Sequence, residues 1–123
     1  MQHIEFGKFG EQLSKNILLA DGYQFVSKNY RNNKGEVDLI CVDNVTKELV
    51  FFEIKSRSGK QYIAVEKSIH KKKQELLLKT ANAYCLEFDV HMEIRMDVVI
   101  LIKDQKVVWF KHIKSAFTSR ILA

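Results

Sequence analysis

The apolar positions change period along the chain, and the changes mark the elements. Between residues 5 and 20, Phe6, Phe9, Leu13, Ile17 and Ala20 recur at spacings of three and four, with Lys8, Glu11, Gln12 and Lys15 among the more polar positions. That spacing predicts an amphipathic helix. Gly7 and Gly10 fall inside it and cost helix stability relative to alanine, which predicts that something approaches this backbone closely. Asp21-Gly22 supplies a stop, with glycine taking the left-handed position after the last turn.

The period then drops to two. Residues 23–30 read as a strand of modest alternation, and Arg31 to Gly35 as a polar turn. Residues 36–42 form a second strand, with Val37, Leu39 and Cys41 on one face and Glu36, Asp38, Ile40 and Val42 on the other. Residues 48–55 form a third, in which Phe52 and Ile54 alternate with Phe51, Glu53 and Lys55. The stretch Asp43 to Glu48 carries turn chemistry, and pairing those two residues makes a hairpin that sets Asp38 opposite Glu53 and Glu36 opposite Lys55. After a loop at Ser56 to Lys60 a helical pattern runs to about residue 86, with Val65, Ile69, Leu76 and Ala83 as its stripe. Residues 93–102 read as a strand, Lys103-Asp104-Gln105 as a turn and Lys106 to Ile113 as a final strand, while Ser115-Ala116-Phe117 starts a short helix. The order αβββαββ predicts an α/β fold with one mixed sheet.

Composition narrows the class. A chain of 123 residues, 46% apolar and 28% charged, fits one globular domain over residues 1–123 with a single core. No apolar run reaches the length of a membrane span, and the first residues lack a basic region followed by an apolar one, which predicts a cytoplasmic protein without a membrane partner. Cys41 and Cys85 read as free thiols, and no Cys or His pair has zinc-finger spacing. The net charge is +5, and residues 55–79 hold eight lysines and arginines against Glu66 and Glu75. The positive excess therefore follows Glu53 and Lys55 directly, a location that suits a phosphate backbone or a solvated helix face.

The hairpin carries the chemistry. Directly opposed residues bring their β-carbons within roughly 5 Å, and like charges there repel. Two such carboxylates invite a cation, and as hard oxygen ligands they suit Mg²⁺ or Mn²⁺. A bound metal of that kind activates water and offsets charge in phosphoryl chemistry, and Lys55 shares a face with Glu53 to assist. Taken singly, Asp38 can instead cap the turn at Gly35, Glu53 can pair with Lys55, and Glu11 reads as a surface glutamate. Asp97 and Arg95 share a strand face as an ion pair, the four histidines read as structural or exposed, and Trp109 and Phe110 as packing against the sheet.

Several segments together resemble a known family. Gly10-Glu11, Gly22-Tyr23, Asn29-Tyr30-Arg31, Gly35-Glu36-Val37-Asp38-Leu39-Ile40, Phe51-Phe52-Glu53-Ile54-Lys55-Ser56-Arg57, Lys73-Gln74, Arg95-Met96-Asp97-Val98-Val99 and His112 to Phe117 resemble the YraN-like family of small bacterial proteins. That family lies within the PD-(D/E)xK, or restriction-endonuclease-like, superfamily, and the likeness extends to archaeal Holliday-junction resolvases. The resemblance implies an αβββαβ core with a central mixed sheet flanked by helices. It also implies a metal held by Asp38, Glu53 and the carbonyl of Ile54, with Glu11 as the helix-borne acid and Lys55 as the catalytic lysine. Arg57, Lys60, Lys72, Lys73 and Gln74 are the candidate nucleic-acid contacts. The functional expectation is a metal-dependent endonuclease acting on DNA, including branched or structured DNA; the alternative is a nucleic-acid-binding accessory protein that does not cut. A homodimer would let a domain this small engage both strands.

Overall fold

A computed structural model describes residues 2–58 and 71–117. Helix α1 spans Gln2–Ala20, followed by strands β1 (Tyr23–Arg31), β2 (Glu36–Asp43) and β3 (Leu49–Ser58). Helix α2 spans Lys71–Glu87, and β4 (Ile94–Asp104) and β5 (Val107–Phe117) complete the chain. The five strands form one mixed sheet in the order β1-β2-β3-β4-β5, antiparallel except where β3 runs parallel to β4. This is the expected α/β arrangement, and it is consistent with a restriction-endonuclease-like fold. Among the described residues no helix is long and apolar enough to cross a membrane.

Each helix covers one face of the sheet. On the α1 face, Leu18 packs with Tyr23, Leu39, Phe52, Val99 and Leu101. On the α2 face, Leu77, Leu78, Ala81 and Tyr84 pack with Phe51 and Ile100. Burying aromatic and branched side chains on both faces stabilises the sheet by roughly 1.5–3 kcal/mol per large side chain.

The helical faces differ from the pattern expected of them. The buried line of α1 is Gly10, Ser14 and Leu18, while Phe9 is 54% exposed and Ala20 is exposed. Small residues on that line let the helix lie close to β3, so that a Cβ at Gly10 would overlap Ser56 Oγ. No such neighbour meets Gly7, where a Cβ would find nothing within 4 Å among the described residues. In α2 the buried stripe is Leu77, Leu78, Ala81 and Tyr84, one position on from Leu76, which is exposed, and Ala83, which is half-buried. Val65 and Ile69 lie outside the described residues.

Strand details also shift. Val37 joins the α2-side core with Ile40 rather than the α1-side group of Leu39 and Cys41; the alternation breaks at Asp38, where Asn29, between the partners of Leu39 and Val37, has φ 52°. The β4–β5 turn sits at Gln105-Lys106, where Gln105 has φ 54°. Ser115 to Phe117 is strand, not the start of a helix. The Ser115 N–H donates to Asp97 Oδ1 at 3.0 Å, Phe117 pairs with Met96 and its side chain is buried. The stop at Asp21-Gly22 holds, with Gly22 at φ 95°. The turn at Gly35 is capped by Asn32, whose Oδ1 accepts from the N–H groups of Lys34 (2.8 Å) and Gly35 (3.3 Å).

Candidate functional site

The hairpin register is the one that turn chemistry predicts, with Val42 opposite Leu49 and Leu39 opposite Phe52. The ladder stops there, one step short of Asp38 and Glu53. Beyond it β3 leaves β2 and continues beside β4 as far as Ser58 opposite Lys103. The Asp38 carboxylate fills the opening by accepting the Ile54 N–H at 2.7 Å on Oδ2. In an extended strand a residue's N–H and C=O point to the same edge, so the Ile54 carbonyl faces the same gap. Glu36 turns to Arg31 at 2.6 Å instead of meeting Lys55 across the ladder.

Charge accumulates at this opening. Burial, and next the negative charge of Glu53, push the Asp38 carboxyl up to about 7 against the lowering effect of the Ile54 N–H. Glu11, half-buried on α1, is raised by burial first and then by Glu36 and Glu53, with Lys28 opposing. Glu53 lies on the α2 face of β3, 7% exposed, and its Oε1 receives both Lys55 Nζ and Lys73 Nζ at 3.3 Å. The acid and base of the Glu-x-Lys unit therefore stand side by side, and a second lysine from α2 joins them. Lys73, expected as a phosphate contact, is engaged with Glu53.

Glu11 separates two grooves on the α1 face. One, of about 570 Å³, is lined by Lys8, Lys15, Lys28, Asp38 and Ile54; the other, of about 420 Å³, by Phe6, Ile54, Ser56, Arg57 and Ser58. Arg57 donates to the Ser56 carbonyl at 2.9 Å at the edge of the second groove. Lys72 is exposed on α2, Gln74 is half-buried there, and Lys60 lies outside the described residues.

The chain also has recognisable relatives. Residues 10–101 match the uncharacterised protein family UPF0102. A UPF0102 protein of Natranaerobius thermophilus is 38% identical over 122 residues, covering 95% of this chain and all of that protein. One of Thermodesulfovibrio yellowstonii is 37% identical (95% of this chain, 99% of the relative), and one of Flavobacterium psychrophilum 33% identical (94% and 96%). The chain belongs to the UPF0102 family.

In this UPF0102 chain the matched region spans Glu11, Asp38, Glu53 and Lys55, all gathered near the opening between β2 and β3. Glu11 reaches it from the α1 face, Glu53 from the α2 face, and Asp38 from the edge. Among the described residues no three His, Cys, Asp or Glu side chains stand close enough together to ligate one ion. The donor chemistry nevertheless fits a hard divalent cation. Asp38 and Glu11, both raised by burial and next by neighbouring carboxylates, stand beside a backbone carbonyl as oxygen donors with surplus negative charge.

A second polar cluster of the UPF0102 chain was only partly legible. Arg95 and Asp97 form the expected ion pair, with Nε to Oδ1 and Nη2 to Oδ2 both at 2.9 Å. Arg95 also donates to Asp43 (2.8 Å), Glu48 (3.0 Å) and the Tyr23 hydroxyl (2.7 Å), while His112 Nε2 meets Asp97 Oδ2 at 2.7 Å. Those partners come from four separate segments, which no spacing reveals. His112 is thus structural, and His91 is exposed beside Asp89; the side chain of His3, and His70, lie outside the described residues. Phe110 packs on the α1-side core as expected, but Trp109 is 63% exposed. Lys8, Lys15 and Lys28 were missed as a group because they stand on two elements; the spacing of Lys8 and Lys15 by seven was the available signal.

Proposed function

We propose that this protein is a metal-dependent phosphodiesterase that cleaves DNA at the opening between β2 and β3. The observation that carries the reading is the placement of Asp38, held by the Ile54 N–H, against Glu53 and Glu11 in an opening flanked by lysines. Burying like charges together is costly, and a site that tolerates the cost is a candidate for ligand chemistry. Asp38 and the Ile54 carbonyl, with Glu53 and Glu11 drawn in around the ion, would hold Mg²⁺ or Mn²⁺, which when bound supplies an activated water and offsets charge on the phosphate. Lys55 orients the attacking water or stabilises the negative charge that develops on the phosphate, from its place beside Glu53. Lys73, with Lys55, fixes where the Glu53 carboxylate stands, each ammonium lying 3.3 Å from its Oε1. Arg57 and Lys72 add positive charge for the backbone of the substrate.

The test is cleavage of linear, single-stranded, flap and four-way DNA with Mn²⁺ or with EDTA. Asp38→Ala and Glu53→Ala are expected to lose cleavage by three orders of magnitude or more, on the scale of about 4 kcal/mol of transition-state stabilisation, while folding and DNA binding persist. Lys55→Ala should lose nearly as much. Cleavage retained in both acidic-residue variants rules out this site. The second reading is a DNA-binding accessory protein, and the observation in its favour is that Glu53 already has two ammonium partners. Calorimetric titration of Mn²⁺ into wild type and Glu53→Gln separates the two, since the accessory role predicts no metal binding even with DNA present.

A further inference from the structure

The 570 Å³ groove between α1 and the β1–β2 pair carries three lysines that the proposed chemistry leaves unused. Lys8 and Lys15 are seven residues apart on α1, so they lie along one helical stripe about 10 Å long. Lys28 faces the same groove from β1. Among the described residues none of the three takes part in an ion pair, whereas Lys55 and Lys73 are both committed to Glu53. Lys15 Nζ sits 4.0 Å from the centre of the Phe25 ring, which steadies its stem along the groove, and Lys8 and Lys28 are exposed. The same groove is lined by Glu11, Asp38 and Ile54. Cations with no ion pair among the described residues flank it, Lys28 acting on Glu11 only at longer range, and the acidic opening forms part of its wall.

Size limits what enters. A volume of this class encloses one drug-sized molecule, comparable to a nucleotide or two. A duplex, whose major groove alone is about 12 Å wide, rests on a surface instead of threading such a groove.

We infer that this groove holds the phosphodiester backbone of a single nucleic-acid strand, with Lys8 and Lys28 contacting phosphates from its two sides and Lys15 extending the track along α1. The inference rests on the phosphodiesterase reading and assigns this strand to the α1 face, leaving Lys72 on α2 to other parts of the substrate. Each phosphate contact to a single strand contributes a salt dependence of about 0.7 in the logarithmic slope.

The experiment is fluorescence anisotropy of a short labelled single strand and of the matching blunt duplex, titrated with full-length protein in EDTA over a series of salt concentrations. Wild type should bind the single strand more tightly than the duplex. Lys8→Gln/Lys28→Gln should lower the single-strand slope by about 1.4 and weaken binding at low salt at least tenfold. Lys47→Gln/Lys114→Gln, made at exposed positions away from the groove, should leave both unchanged, and circular dichroism confirms that each variant folds. An unchanged slope in Lys8→Gln/Lys28→Gln overturns the inference. If Lys71→Gln/Lys72→Gln lowers the slope instead, the strand tracks along α2 and the inference fails while the function stands. Absence of binding by wild type to either DNA overturns both.

Discussion

At the scale of single residues, Asp38 is the informative group. Its carboxyl is pushed up to about 7 from an ordinary value of 3.8. Between those pH values the folded chain keeps a proton that the unfolded chain releases, so stability falls as pH rises through that window. Above it the folded state carries the full cost of the buried charge. Asn at this position retains an oxygen for the Ile54 N–H and removes the charge. Metal-free Asp38→Asn should therefore be more stable than wild type at pH 8 by about 1–3 kcal/mol, with part of the shift discounted for solvent screening. At pH 4 the advantage should vanish. Thermal melts at the two pH values decide it, and an equal difference at both would show that Asp38 is not electrostatically strained. The hairpin register was legible in sequence, because the turn at Asp43 to Glu48 fixes it as far as Leu39 opposite Phe52, although the expected pairing of Asp38 with Glu53 is not part of the ladder. The Ile54 N–H as the partner of Asp38 was not, since that contact exists only because the ladder ends at Leu39 and Phe52.

At the scale of elements, α1 shows why a helix can be found in a sequence while its buried face is misplaced. The 3.6-residue period located the helix, but hydrophobicity favoured Phe9 and Ala20, and the contact line is Gly10, Ser14 and Leu18. Small residues leave no hydrophobic signal where they allow close packing. The glycines carried that information, and the structure divides them. A Cβ at Gly10 meets Ser56 Oγ and lies 3.1 Å from Leu101 Cδ1, whereas one at Gly7 meets nothing within 4 Å among the described residues. Gly10→Ala should cost about 1–3 kcal/mol by overpacking. Gly7→Ala should gain about 0.5–1 kcal/mol from helix propensity. Urea unfolding of the two variants provides the check, and destabilisation by both would mean that α1 does not sit on β3 as described. The same limit applies to Ser115-Ala116-Phe117, whose strand conformation depends on the buried Asp97 accepting the Ser115 N–H.

At the scale of the whole molecule, the sheet is fastened at one end and open at the other. Arg95 joins the start of β1 (Tyr23), the β2–β3 turn (Asp43, Glu48) and β4 (Asp97), and His112 on β5 attaches through Asp97. The opening at Ile54 lies four residues along β3 from Val50, the residue paired with Arg95, a separation of roughly 13 Å. With β1, β2, β4 and β5 held at the Arg95 end, β2 and β3 can diverge around Asp38 without losing register. The two ends also titrate in opposite directions. Burial raises Asp43, but Arg95 and the N–H groups of Val45 and Thr46 outweigh it and bring the carboxyl down to about 2. Asp97 is likewise held below its ordinary value, because His112, Arg95 and the Ser115 N–H overcome burial. Their stabilisation is present above the usual carboxylate range and is lost as pH falls toward 2. Arg95→Met strands both acids, so it should cost about 3–5 kcal/mol at pH 7, a large share of the roughly 5–15 kcal/mol that keeps a domain folded. The deficit should shrink as pH falls from 4 toward 2, because protonation neutralises the stranded acids. Sites separated by more than about 7–10 Å without shared partners add within about 0.5 kcal/mol. Denaturant melts of Arg95→Met, Asp38→Asn and the double variant at pH 7 should therefore close as a sum, and a coupling above 1 kcal/mol would mean that the fastened end acts directly on the open one.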